Sequence, residues 1–358
     1  MTDPNNKSSV ESVQEYYGKT LKSSQDLKTT ACCVDFTSFP EKLKSIFKDI
    51  HPEISKRYYG CGLTIPSQLE GLHVIDLGSG SGRDSFVLSK LVGSKGSVIG
   101  IDMTDEQLDL ARDHISYHTE KYGYKNSNIE FRKGKIEDLA QANIKDESVD
   151  LIVSNCVINL SFDKQAVLNE AFRVLKPGGE LFFADVYSNR RVPAELVKHP
   201  LLYNECLSGA LYWNDFISMG KKAGFKDPRL VSDRVLEITN PQVRSLVSDI
   251  NFYSATYRLF KLPELEPACE DYGQAVIYQG TVDDHPKFFD LDNHHRFLTG
   301  KIQPVCNNTF LMLEKTRFKN HFHFLGNTEI HYGIYPDCGV NVPFSNHSEK
   351  NPSPAACC

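Results

Sequence analysis

The strongest constraint on this chain is a short apolar run, His73-Val74-Ile75-Asp76-Leu77, that breaks into Gly78-Ser79-Gly80-Ser81-Gly82. An apolar run of this length ending in turn residues reads as a buried strand. The glycines let the backbone turn sharply and approach a ligand closely. The helical sequence that follows, Ser85–Leu91, presents unpaired N–H groups at its start. Strand, glycine loop and helix in that order form the ligand-binding corner of an open α/β sheet. The alternation then repeats. Ser97–Asp102 (SVIGID), Ile129–Arg132, Val149–Ser154 (VDLIVS) and Glu180–Val186 (ELFFADV) read as strands, and Glu106–His118 and Lys164–Leu175 as helices, the latter stopping at Pro177-Gly178-Gly179. Strands alternating with helices imply an α/β fold with a mainly parallel, Rossmann-like sheet covered on both faces. Arg229–Ile238 and Asn251–Phe260 read as two further strands placed to close the sheet's edge.

The rest of the chain divides around this core. Residues 1–40 read as a polar arm with a helix around Val13–Leu21, and Phe39–Phe47 has helical spacing with charges on its other face. The α/β domain is expected over 41–262, with a helical insertion at about 191–224 that holds Cys206 and the single tryptophan, Trp213. From about Pro263 short aromatic-rich segments (QAVIYQG, NTFLMLEK) alternate with turns, which predicts a smaller mixed or β-rich C-terminal domain over 263–345. Residues 346–358, rich in Ser, Pro and Asn, are expected to be disordered and dispensable. A chain of 358 residues can bury a large core without covalent staples. The net charge of −6 gives no basic footprint, so no nucleic-acid partner is expected. No apolar run approaches the roughly 20 residues of a membrane span, and the start of the chain has no secretory core. A cytoplasmic monomer with no membrane partner, its thiols kept reduced, is the expectation.

The glycine loop alone fits a dinucleotide or adenosylmethionine equally. Other features favour adenosylmethionine. The glycines are spaced Gly-x-Gly-x-Gly. Asp76 closes the first strand, where it can meet the cationic amino-acid end of the cofactor. Asp102 closes the second, where an acid suits the two ribose hydroxyls. LKPGGELFFADV matches the helix, turn and fifth strand of the methyltransferase fold, and GKIEDL (Gly134–Leu139) resembles the segment that borders the adenine. The candidate cofactor residues are Tyr59, Asp76, Gly78, Gly80, Gly82, Asp102, Met103, Ile136, Glu137 and Asn155. Tyr59 reads equally well as a ring against the sulfonium and as a core aromatic.

The chain has ten cysteines and no Cys-x-x-Cys pair, which argues against a zinc ribbon. Cys156, in SNCVINL, follows the fourth strand. Ligands bind outside the carboxyl ends of such strands, so Cys156 should face the cofactor's reactive end. Cys61 lies in RYYGCG, Cys206 in NECLSGALYW and Cys32 in the arm. Cys269, Cys306 and Cys338 read one at a time as buried small hydrophobes. Cys33 reads as a spare neighbour of Cys32, and Cys357 with Cys358 as a soft-metal-binding or merely exposed tail.

Together RYYGCG, DLGSGSGRD, GIDMT, SNCVINL, LKPGGEL and ECLSGALYW resemble the animal arsenite methyltransferases in order and spacing, from about Val13 to Phe260 and more weakly beyond. The resemblance implies a class I methyltransferase fold with an arsenic-binding insertion and a C-terminal domain. It implies S-adenosyl-L-methionine as methyl donor and arsenite and methylated trivalent arsenicals, or their thiol conjugates, as substrates. Glutathione or thioredoxin is implied as the reductant and partner. Family residues fall on Cys32, Cys61, Cys156 and Cys206 as the catalytic thiols, with Cys61, Cys156 and Cys206 as arsenic ligands and a cysteine disulfide relay. The sequence departs from the family in its Cys357-Cys358 ending and in the Cys32-Cys33 doublet, which leaves open which thiol of the doublet is used. The chemistry agrees: trivalent arsenic is soft and thiophilic, like the metals that select thiolate. Two other readings stay open. A methyltransferase acting on carbon, nitrogen or oxygen leaves Cys61, Cys156 and Cys206 unexplained. A non-catalytic metalloid-binding thiol protein leaves the glycine loop, Asp76 and Asp102 unexplained.

Overall fold

The computed structural model describes residues 40–57, 60, 64–197, 199, 202, 207–247 and 249–338. Outside them lie the helix expected near Val13–Leu21, Cys32, Cys33, Tyr59, Cys61, Cys206 and the 346–358 tail with Cys357 and Cys358.

The central sheet contains β1 (His73–Leu77), β2 (Ser97–Asp102), β3 (Ile129–Lys133), β4 (Val149–Asn155), β5 (Leu175–Ser188), β6 (Leu211–Tyr212), β7 (Arg229–Val235) and β8 (Phe252–Phe260). Its order is β3-β2-β1-β4-β5-β8-β7, with β6 pairing β5. Strands β1 to β5 run parallel. The expected closing pair is there, β8 antiparallel to β5 and β7 antiparallel to β8. Leu77 pairs with Ile101 on one side and Ser154 on the other. That register puts the glycine loop, Asp102 and Asn155 at one edge, above the point where the chain changes direction across the sheet. Ligands bind at such switch points.

Side-chain alternation along the strands builds two cores. Ile75, Leu77 and Ile152 pack with Val167, Leu168 and Ala171 on one face. Val74, Leu151 and Val153 pack with Phe86, Val87, Leu108 and Ala111 on the other. The covering helices are α1 (Glu41–Asp49), α2 (Pro52–Lys56), α3 (Arg83–Val92), α4 (Asp105–Asp113), α5 (Ile115–Lys121), α6 (Lys164–Val174), α7 (Ala194–Val197), α8 (Trp213–Ala223) and α9 (Pro241–Val247).

Three local expectations change. Glu106–His118 is not one helix, because His114 leaves the helical region (φ −103°, ψ 6°) and separates α4 from α5. The Pro177-Gly178-Gly179 turn lies inside β5: the Gly178 amide donates to Lys261 O and the Lys261 amide to Gly179 O, so pairing beside β8 continues through it. The insertion is not wholly helical, since β6 joins the sheet between α7 and α8.

The C-terminal region is β-rich. It contains β9 (Glu270–Asp271), β10 (Ala275–Tyr278), β11 (Phe288–Asp290), β12 (Arg296–Leu298), β13 (Ile302–Pro304), β14 (Phe322–Leu325) and β15 (Gly333–Ile334). These form a β13-β10-β14 sheet and the pairs β11-β12 and β15-β9. NTFLMLEK, one of the aromatic-rich segments of the expected mixed or β-rich domain, folds as helix α10 (Asn307–Glu314). Its core includes Tyr278, Phe289, Phe297, Phe318 and Phe322, together with Phe260 from the end of β8. Among the described residues no helix is long and apolar enough to cross a membrane.

Candidate active site

Beyond Leu77 the chain turns back on itself, and the amides of Gly78 and Ser79 both donate to Ile101 O, at 2.8 and 3.0 Å. Gly78 stands at φ +69°, and a Cβ there would sit 2.4 Å from the Val157 methyls. The loop can therefore lie this close to the β4 edge only without a side chain. Gly80 N–H donates to Asp102 Oδ2 at 2.9 Å, and Thr104 N–H to Asp102 Oδ1 at 2.8 Å. Burial nonetheless outweighs these bonds and raises the Asp102 pKa.

Asp76 lies beneath the loop, 4% exposed. Ser85 Oγ donates to its Oδ2 at 2.5 Å. Burial, followed by the charge of Asp84, pushes its carboxyl up to about 7. Asp84 is itself held by the Arg83 guanidinium at 2.8 Å and by Asn155 Nδ2 at 3.0 Å. Ser161 Oγ donates to Glu137 Oε1 at 2.5 Å. These groups enclose a cavity of about 350 Å³, lined by Asp76, Gly78, Gly80, Asp102, Met103, Ile136, Glu137, Asn155 and Cys156. Such a volume suits a small-molecule ligand. Ser79 Oγ, another lining atom, is buried and has no hydrogen-bond partner among the described residues, as expected of a hydroxyl that a ligand would satisfy.

Cys156 follows β4 in the left-handed region at φ +58°, its amide bonded to Ala184 O at 2.9 Å. A left-handed non-glycine residue is uncommon. The next turn is pinned by Asn159, whose amide and Nδ2 donate to Asp185 at 3.0 and 2.7 Å. Burial raises the Asp185 carboxyl to about 6. Cys156 is 4% exposed and disulfide-bonded.

Of the residues singled out in the sequence, nine thus surround one cavity. Gly82 does not line it. It stands at φ +88° as the N-cap of α3, with no room for a Cβ beside Phe131. Tyr59, Cys32, Cys61 and Cys206 lie outside the described residues. Ser79 and Asp84, missed individually, were within the GSGSGRD motif. A second grouping had no sequence signal: Cys269, Cys306 and Cys338 bring their sulfurs within 4.8 Å of one another. Hydrogen bonding from Cys269, with the Arg229 charge, holds the Cys306 thiol below its ordinary range.

Known proteins resemble both regions. Residues 68–224 match the family described as methyltransferase domain, and 272–354 the arsenite methyltransferase C-terminal domain. An arsenite methyltransferase of Aquipseudomonas alcaligenes is 54% identical over 97% of this chain and 99% of its own length. The arsenite methyltransferase of Homo sapiens is 46% identical over 87% of this chain and 82% of its own. The crystal structure of an arsenic(III) S-adenosylmethionine methyltransferase from Chlamydomonas reinhardtii superposes with a TM-score of 0.81 at 48% identity, covering 83% of this chain and all of that one. The chain belongs to the arsenite methyltransferase family, S-adenosylmethionine-dependent enzymes on the class I methyltransferase fold.

Proposed function

We propose that this enzyme methylates trivalent arsenic held by protein thiolates, with Cys156, Cys206 and Cys61 as ligands and Cys32 with Cys61 as the pair that returns electrons. One observation carries the reading: Cys156 lines the same cavity as Asp76, Asp102 and the glycine loop. S-Adenosylmethionine supplies an electrophilic methyl on a sulfonium. Asp76 would face its ammonium and Asp102 its ribose hydroxyls. The Gly78–Gly80 loop would allow close approach, and Met103, Ile136, Glu137 and Asn155 would wall the adenosine, with Tyr59 beside the sulfonium. The buried, unpartnered Ser79 hydroxyl offers one more polar contact.

Counting bonds divides the work among the thiols. Arsenite offers three positions to sulfur, and a monomethylated trivalent arsenic offers two. The arsenic lone pair would take the methyl as its bond to the sulfonium breaks and S-adenosylhomocysteine leaves, which raises arsenic formally to the pentavalent state. Two electrons must then return, and two thiolates closing into a disulfide supply them. Glutathione or thioredoxin, in a reducing compartment such as the cytoplasm, would reopen that disulfide. Cys156 is itself disulfide-bonded in this structure, so that bond must be reduced before its thiolate can take arsenic.

The test pairs four variants with two substrates, folding being checked by cofactor binding. Cys156→Ser and Cys206→Ser should lose both methylations by at least about a hundredfold, the scale of a misplaced reacting group. Cys32→Ser and Cys61→Ser should lose arsenite methylation but keep activity on the monomethyl substrate. Near-normal methylation of the monomethyl substrate by Cys206→Ser would refute the ligand assignment. Full arsenite activity in Cys32→Ser would mean that Cys33 replaces it or that the arm takes no part.

A further inference from the structure

We infer that Cys269, Cys306 and Cys338 form a second arsenic site, a three-thiol pocket in the C-terminal region that binds inorganic trivalent arsenic separately from methyl transfer. The three residues are far apart in sequence, and the fold gathers them. Cys269 immediately precedes β9 and Cys338 follows β15; these strands pair through Glu270 with Ile334 and Asp271 with Gly333. The Tyr335 amide donates to Cys269 O at 2.8 Å and the Cys338 amide to Tyr335 O at 3.4 Å, which folds the end of β15 back onto Cys269. Cys306 is the N-cap of α10, and Val305 is tied to Gln274 O at 3.1 Å, beside the start of β10. All three thiols are free, and their sulfurs lie within 4.8 Å of one another, a separation that side-chain rotation closes onto one central atom. None of them lines the cofactor cavity.

The donor set selects the occupant. Structural zinc almost always takes four protein ligands. Among the described residues no histidine, carboxylate or fourth cysteine joins this group. His295, in the same hydrogen-bond network, is already engaged by Asp292 and Thr309. Three thiols, with no fourth donor among the described residues, match an atom that makes three covalent bonds and keeps a lone pair. Thiolate is the ligand that a soft centre prefers. Binding balances without a redox step: three As–O bonds of arsenous acid break, three As–S bonds form, and the three thiol protons leave with the oxygens as three waters. Cys306 is buried while Cys269 and Cys338 are partly exposed, so arsenic reaches the site from solvent with Cys306 as its deepest ligand. A monomethyl arsenical makes only two of the three bonds and a dimethyl arsenical one, so the site favours inorganic arsenite over its products.

The experiment uses the full, reduced chain titrated with arsenite, with bound arsenic counted by native mass spectrometry. The triple variant Cys269→Ser/Cys306→Ser/Cys338→Ser should hold one arsenic fewer than the parent and keep its turnover at saturating arsenite. Cys156→Ser should keep the arsenic that the triple variant loses, so this site and the ligand assignment at the cofactor cavity fail independently. Should the triple variant not fold, alkylation of the arsenite-loaded parent decides. Peptides carrying Cys269, Cys306 and Cys338 should be protected together by arsenite, whereas a dimethyl arsenical should protect no more than one of the three thiols in any molecule. Unchanged stoichiometry in the folded triple variant, or alkylation of the three thiols in the loaded parent, overturns the proposal. So does zinc purified with these residues that arsenite does not displace.

Discussion

Asp76 has one strong donor, Ser85, and two acidic neighbours, Asp84 and Asp102, with the Arg83 charge partly offsetting them. Its carboxyl is raised from an ordinary 3.8 to about 7 in the free protein. The folded state therefore binds a proton more tightly than the unfolded chain. Stability from this group is complete below about pH 4 and is lost as pH rises through about 7. A cation placed against Asp76 has the opposite preference and favours the carboxylate. Cofactor binding near neutrality should thus release a proton, and affinity should climb by up to about tenfold per pH unit below 7 and flatten above it. Asp76→Asn should bind more weakly with no such slope. Calorimetry in buffers of different ionisation heat reads the released proton directly, and an unchanged release in Asp76→Asn would remove Asp76 from the cofactor's cationic end. Asp76, Asp102, Asn155 and Cys156 were legible in the sequence because each closes or follows a strand whose place in an α/β sheet is known in advance. Cys269, Cys306 and Cys338 were not, because their approach depends on a β9–β15 pairing that no local pattern announces.

At the scale of elements the glycine loop gives the sharpest expectation. Gly78→Ala adds a methyl at φ +69° that would meet Val157 at 2.4 Å. Gly123, at φ +73°, has nothing within 4 Å of the point where a Cβ would stand. Both alanines carry the left-handed backbone cost of roughly 1–2 kcal/mol, and only the first also displaces the loop. Gly123→Ala should lower stability by about that amount and leave cofactor affinity unchanged. Gly78→Ala should cost more and weaken the cofactor by at least tenfold. Equal cofactor affinity in the two variants would mean that the loop's close approach to β4 plays no part in binding. The loop and its strands were legible because apolar alternation and glycine punctuation are local signals. Helix α10 was not singled out within the expected mixed or β-rich region, because it is only eight residues long and Asn307, Asn308, Thr309, Phe310, Met312 and Leu313 are all buried, so no exposed face marks a helical period. The break at His114 also escaped, because apolar spacing runs through it.

Across the whole molecule the two regions are joined at Glu180. This β5 carboxylate is fully buried and meets Arg258 Nε of β8 at 2.8 Å and Arg317 Nη1 of the C-terminal region at 2.5 Å. Burial works to raise its pKa, yet the two guanidiniums outweigh it and hold the carboxyl below its ordinary range. Burial also lowers the Arg317 pKa, but an arginine begins so far above neutrality that it stays cationic. Arg317 Nε further donates to Ser67 O at 2.9 Å, just ahead of β1, and Arg258 Nη1 to Leu291 O at 2.5 Å. Breaking a buried pair by removing one partner typically costs about 3–5 kcal/mol, because the other charge is left stranded. Arg317→Ala leaves Glu180 with a single arginine, so a loss near the low end, about 3 kcal/mol, is expected in urea unfolding. Phe260, at the end of β8, belongs to the core of the C-terminal region, and that shared packing should keep unfolding a single transition. The acid limb gives an independent check. Stability from Glu180 is present above its unfolded value and lost as pH falls through its lower folded value. Without Arg317 the folded value rises, so acid unfolding should begin at higher pH. A change below about 1 kcal/mol with an unmoved acid limb would show that the pair only offsets its own desolvation, leaving shared packing around Phe260 and the buried Arg229–Asp292 pair to hold the regions together.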